Sequence, residues 1–190
     1  MIPDRIQTER LTLRRAHAHD LAAVHGILSL PAAMRYWSTP AHSSVAQTEV
    51  WLSRMIARPI AESDDFLIEY QGRVIGKTGA WMLPEIGFIL HPDHWGKGIA
   101  LEATAAVITH LFAHHHLPHL VAEADPRNAA SLGLLHRLGF VETHRAQNTL
   151  QWGDEWCDSV YLRLDRPAIT ATPSRDFGPT STRMVQSFVS

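Results

Sequence analysis

The chain has 190 residues, 45% of them apolar and 19% charged, and a net charge of −2. Those values suit one globular domain with a sizeable core and leave no basic footprint for nucleic acid. The single cysteine, Cys157, excludes an intrachain disulfide, and no window approaches 18 apolar residues, so the expectation is a cytoplasmic protein without membrane contact.

Leu11 and Leu13 alternate with Thr12 and Arg14, which predicts a first strand from Ile6 to Arg15. Asp20 stands where a helix N-cap belongs, before Leu21, Val24 and Leu28 at helical spacing, and Pro31 ends that helix. Ser44 and Gln47 have capping-box spacing. Val45, Thr48, Leu52 and Met55 then predict a second helix, closed by Pro59. Phe66 to Tyr70 and Arg73 to Trp81 read as strands of a hairpin turning at Gln71-Gly72.

From Glu85 to Leu90 the pattern has period two, and after Gly98 it changes to helical spacing through Leu101, Ala105, Ile108 and Phe112. Leu120 to Ala124 is a short buried strand, turned by Asp125-Pro126. Asn128 then starts a helix with Leu132, Leu135 and Leu138 inward and Gly139 at its C-terminal end. Phe140 to Arg145 and Trp156 to Leu164 close the domain as two strands. The order βααββ-βα-βα-ββ predicts a single α/β domain over residues 1–165, a mixed central sheet flanked by helices. Residues 166–190, with Pro167, Pro173 and Pro179 among Ser, Thr and Ala, read as a tail, disordered or docked.

The strand feeding a helix through Gly96-Lys97-Gly98 leaves orphan N–H groups at a helix N-terminus, which favours an anion. A P-loop fails here, because His91 stands where its first glycine belongs and Gly98 follows the lysine. A dinucleotide fingerprint fails at Leu101. What survives is the short loop Trp95-Gly96-Lys97-Gly98-Ile99-Ala100.

Here the sequence resembles the GCN5-related N-acetyltransferases (GNAT), within them the ribosomal-protein-type, RimJ/RimL-like enzymes. Thr8-Glu9-Arg10-Leu11-Thr12-Leu13-Arg14 is similar to that group's opening strand. Glu85-Ile86-Gly87-Phe88, His91-Pro92 and Trp95 to Ala103 resemble its acetyl-CoA motif, and Asn128 to Ser131 with Leu138-Gly139-Phe140 its second motif. Trp95 departs from the Gln or Arg usual at that loop position, a change that leaves the backbone donors untouched.

The resemblance implies acetyl-CoA as co-substrate and no metal. Its pyrophosphate would lie on Trp95, Gly96, Lys97, Gly98, Ile99 and Ala100. The pantetheine arm would run along Phe88, Ile89 and Leu90 and meet Asn128 and Ser131. Glu85 matches a general base, or else is a strand-end carboxylate; Ser131 matches the acid that protonates the thiol, or else is bonded locally in its helical turn. Tyr161 is a fallback acid whose position matches poorly. Tyr36, Trp37, Trp81 and Trp152 suit the acceptor mouth or the core, and Glu62, Asp64 and Asp65 suit attraction of a cationic amine or a solvated loop.

Deprotonating a lysine amine at pH 7 costs about 4.6 kcal/mol, against about 1 kcal/mol for an α-amine. A carboxylate base acting through water suits the second, so the acceptor expected is a protein N-terminal α-amine or a small amine. The rivals are a non-catalytic acyl-CoA-binding module and an antibiotic- or polyamine-modifying enzyme. A homodimer stays open. The histidines from His110 to His119 lack a third metal ligand and second shell in the sequence pattern. Cys157 reads as a small buried residue.

Overall fold

The computed structural model describes residues 2–167. Where one opening strand is predicted there are two, β1 (Arg5–Gln7) and β2 (Leu11–Arg14). Thr8 makes the break: its N–H donates to the Leu11 carbonyl and its hydroxyl accepts from the Leu11 N–H, both at 3.0 Å. Three helices follow, α1 (Leu21–Leu28), α2 (Pro31–Met34) and α3 (Val45–Ala57). Pro31 starts a short helix in its first turn, where its missing N–H leaves nothing unpaired. Asp20 does not cap α1 with its side chain. Its carboxylate accepts from Arg14 at 2.7 and 2.9 Å and from the His17 N–H at 2.8 Å. Ser44 does cap α3, accepting from the Gln47 N–H at 3.3 Å.

The hairpin is β3 (Asp64–Tyr70) and β4 (Arg73–Met82), with Gln71 and Gly72 at φ of 50° and 75° in the primed-turn region. Next come β5 (Glu85–Leu90), α4 (Ile99–His114), β6 (His119–Ala124) and α5 (Ala129–Arg137). The closing hairpin, β7 (Val141–Trp152) and β8 (Glu155–Asp165), is longer than predicted. β7 is largely exposed along its length, so it carries no apolar period by which to find its far half.

One sheet in the order β1-β2-β3-β4-β5-β6-β8-β7 divides the molecule. Phe66 and Ile68 sit with Val107 and Leu111 of α4 on one face; Leu67 and Ile89 sit with Val24, Leu28, Met34 and Leu52 on the other. The buried side of α4 is Ile99, Ala103, Thr104, Val107, His110 and Leu111, while the predicted Leu101, Ala105, Ile108 and Phe112 are only half-buried. That helix is apolar on several sides, so its period alone does not choose a face. Of the predicted tail, Arg166 and Pro167 fall within the described residues. Arg166 donates to the carbonyls of Phe112, His115 and Leu117, satisfying the C-terminal end of α4.

All neighbouring strands are antiparallel except β5 and β6, which pair in parallel at a single position, Glu85↔Val121. The Val121 N–H donates to the Pro84 carbonyl at 3.1 Å, and the His91 N–H turns the other way, to the Ile75 carbonyl of β4. Edges alternate residue by residue along a strand, so the backbone groups of Phe88 and Leu90 face the gap that opens where β5 and β6 part.

Candidate active site

Trp95 to Gly98 link β5 to α4 through two left-handed glycines, Gly96 at φ 71° and Gly98 at φ 73°. The N–H groups of Gly96, Lys97 and Gly98 find no acceptor among the described residues, and those of Ile99 and Ala100 open the helix. A concave row of free donors at the positive end of a 16-residue helix fits a pyrophosphate. The β1–β2 turn fixes this loop. Glu102, in the first turn of α4, accepts from the Thr8 hydroxyl at 2.6 Å and from Arg10 Nε and N–H at 2.6 and 2.9 Å. Arg10 Nη1 in turn donates to the Lys97 carbonyl at 3.0 Å. Lys97 Nζ donates to the Asp93 carbonyl at 2.8 Å.

Trp95 is half-exposed, and its indole N–H donates to the Leu90 carbonyl at 2.8 Å. One backbone acceptor facing the β5–β6 gap is thereby taken by a side chain of the loop itself. Ile89 and Leu90 bury their side chains in the core. Their backbone, not their side chains, is what they offer a ligand. Asn128 caps α5 by accepting from the Ser131 N–H at 3.2 Å, and the Ser131 hydroxyl makes no hydrogen bond among the described residues. The expected CoA-contact residues therefore fall on the loop before α4, the N-termini of α4 and α5, and the end of β5. Asn128 and Ser131 do not line the cleft described next.

That cleft has a volume of about 430 Å³, and Glu85, Ile86 and Gly87 form part of its wall. Tyr36, Trp37, Trp81 and Trp152, the four predicted mouth aromatics, all line it. Glu85 thus stands at the one β5–β6 bridge, where the strand passes from the cleft toward the gap. Burial raises its carboxyl above the ordinary range; the Trp81 indole opposes this, and the nearby Glu123 charge adds to it. The Glu123 carboxylate accepts from the Ser159 hydroxyl.

Of the acidic trio, only Asp65 reaches the cleft. Its Oδ2 accepts from the buried Lys77 Nζ at 2.7 Å, and that ammonium lies 5.6 and 5.9 Å from the Trp37 and Trp51 rings. Asp64 is fully buried behind the sheet. It accepts from Arg15 at 2.6 Å, His110 at 2.9 Å and His115 at 2.7 Å. Two members of the histidine cluster therefore serve a buried carboxylate. Among the described residues no group of three His, Cys, Asp or Glu is placed to hold a metal ion, and no helix is long and apolar enough to cross a membrane.

Tyr161 stacks on His144 at 4.4 Å and does not line the cleft. Cys157 is buried as expected, yet it lines the cleft, with Arg127 donating to its sulfur at 3.3 Å. Sequence reasoning missed Arg35, Arg54, Lys77 and Glu123 as cleft residues. For Lys77 and Glu123 the signal was a charge inside a strand that otherwise reads as buried. For the two arginines on helical segments there was none.

The model of the acetyltransferase (GNAT) domain matches residues 10–141. The uncharacterized N-acetyltransferase p20 of Bacillus licheniformis is 29% identical over 71% of this chain and 81% of its own length. The ribosomal protein uS5-alanine N-acetyltransferase of Escherichia coli is 32% identical over 43% of this chain and 42% of that enzyme. A structure of RimL, a ribosomal L7/L12 α-N-protein acetyltransferase in complex with coenzyme A, shares the fold. It has a TM-score of 0.75 at 19% identity, covering 86% of this chain and 97% of that one. A glycine loop clasped to a helix N-terminus beside a splayed strand pair, in a chain matched by that domain over most of its folded length, leads to one assignment: the chain belongs to the GNAT acetyltransferase family and is an N-acetyltransferase.

Proposed function

We propose that the chain transfers an acetyl group from acetyl-CoA to an α-amine, of a protein N-terminus or a small molecule, by direct attack in a ternary complex. Acetyl-CoA supplies the activated acyl carbon. Glu85, acting through a water molecule, takes the proton that the attacking amine loses. The N–C bond forms as the C–S bond breaks. Ser131 passes its hydroxyl proton to the departing thiolate and regains one from solvent. The observation that carries this reading is the position of Glu85, half-buried at the only β5–β6 bridge and on the wall of the acceptor cleft. A carboxyl raised by burial is a better match to an amine that loses its proton for about 1 kcal/mol than an ordinary surface glutamate.

Release of CoA with peptide N-termini, amino acids, polyamines and aminoglycosides, compared side by side, tests the activity and sorts the acceptors. Glu85→Gln should lower kcat about 10²- to 10⁴-fold and abolish the acidic limb of the pH–rate profile. An unchanged profile removes Glu85 from the role. Ser131→Ala should lower kcat with little change in acetyl-CoA binding. Thermal stabilisation by acetyl-CoA without thiol release from any of these amines would point to a binding module instead.

A further inference from the structure

The cleft holds two hydrogen-bond donors that nothing among the described residues satisfies. Arg35 Nη1 and Trp152 Nε1 are both buried and both lack a partner among the described residues, and both residues line the cleft. They are neighbours: the Arg35 guanidinium lies 5.4 Å from the Trp152 ring and 5.2 Å from that of Tyr36. Leaving two donors buried and unpaired in one place is costly, and native proteins complete such groups with protein, ordered water or a ligand; two at one site suit a ligand group that meets both. The acids nearby do not complete them. Glu155 Oε2 is 3.8 Å from Arg35 Nη1, beyond hydrogen-bond reach. Asp125 and the other Glu155 oxygen are held by Arg127. A further cation, Arg54 on the exposed side of α3, lines the same cleft and has no ion pair among the described residues. The cleft also carries carboxylates, Glu85 and Glu123 among them and Asp125 close enough to Arg35 to feel its charge.

We propose that Arg35, Trp152 and Arg54 form a subsite for an oxyanion carried by the acceptor. The substrate is then an amine that also bears a carboxylate or a phosphate-type group, seated with its amine toward Glu85. A planar guanidinium and an indole N–H side by side suit an acceptor group with several lone pairs, and the arginines disfavour a bare polycation. The assignment rests on the acetyl-transfer reading for its chemistry, and on the orphan donors for its geometry.

Matched acceptors test it: di- and tri-alanine, their C-terminal amides, and their C-terminal phosphonate analogues, with the same α-amine throughout. The anionic forms should exceed the amides in kcat/KM by about 10- to 100-fold. The preference should collapse in Arg35→Gln and in Trp152→Phe, which keeps an aromatic side chain while removing the N–H together with the pyrrole half of the indole. Arg54→Gln, on an exposed helix face, should reduce it without touching the core. Whichever of carboxylate and phosphonate is favoured identifies the oxyanion. Equal rates for acid and amide would overturn the subsite while leaving acetyl transfer intact. If no peptide releases CoA, calorimetric titration of the same peptides onto the CoA-bound protein decides. Binding of the acids alone upholds the subsite and overturns the transfer reading; no discrimination overturns the subsite as well.

Discussion

Removing the charge of Asp64 should loosen the whole domain, although no substrate touches that residue. Its carboxylate is fully buried and accepts from Arg15, His110 and His115, joining the start of β3 to the end of α4. Burial alone would push the carboxyl up. Hydrogen bonds from His110, His115 and Arg15 outweigh that and hold it down to about 2, against 3.8 for a free aspartate. A depressed carboxyl contributes stability that is present above the unfolded value and is lost as pH falls through the folded one. That contribution is on the order of 2 kcal/mol at pH 7, and roughly half of it is gone by pH 3.

Asp64→Asn keeps the shape but leaves three donors facing a neutral amide. It should cost about 3–5 kcal/mol at pH 7, or about 6–20 °C in Tm for a chain of this size. Urea unfolding of both proteins at pH 7 and pH 3 gives the assay. The wild type should lose about 1 kcal/mol more than the variant between those pH values. Parallel losses in the two proteins would refute the claim that this cluster carries acid-sensitive stability.

Two further perturbations address the CoA side. Glu102→Gln removes the charge that clasps Arg10 and Thr8 to the first turn of α4; it should raise the KM for acetyl-CoA about 3- to 10-fold with kcat nearly unchanged, and an unaltered KM would show that the clasp does not position the loop. Trp95→Phe frees the Leu90 carbonyl. If the ligand's amide uses that oxygen, KM should fall by about 2- to 10-fold, whereas a rise would mean the indole itself contacts the ligand.

The elements that local chemistry dictates were legible in the sequence. Gln71-Gly72 announced its hairpin, Ser44 and Asn128 announced their caps, and Gly98 marked the N-terminus of α4. The failures have a common cause in partners distant along the chain. Thr104 is inside because it meets Thr78 at 3.1 Å, and His110 is inside because it meets Asp64; neither residue type predicts its own burial. Asp20 has the composition of a cap, yet Arg14 takes its carboxylate. The acceptor cleft draws on α3, β3, β4, β5, β6, β7, β8 and the stretch around α2, so no spacing in the sequence could delimit it.

The opening between β5 and β6 explains why both halves of the site occur together. A continuous parallel pair would satisfy the edge of β5 and leave no place for a ligand backbone. Pairing at Glu85 alone does two things at once. It leaves the polar groups of Phe88 and Leu90 facing a gap, and it pins Glu85 at the boundary between that gap and the acceptor cleft. The helices that follow the two strands, α4 and α5, begin one with free donors and the other with the Ser131 hydroxyl in its first turn. On the proposed reading, specificity for the amine lies with Arg35 and Trp152, which come from segments more than a hundred residues apart. Variation at those positions would then change the acceptor without disturbing the β5–β6 pair.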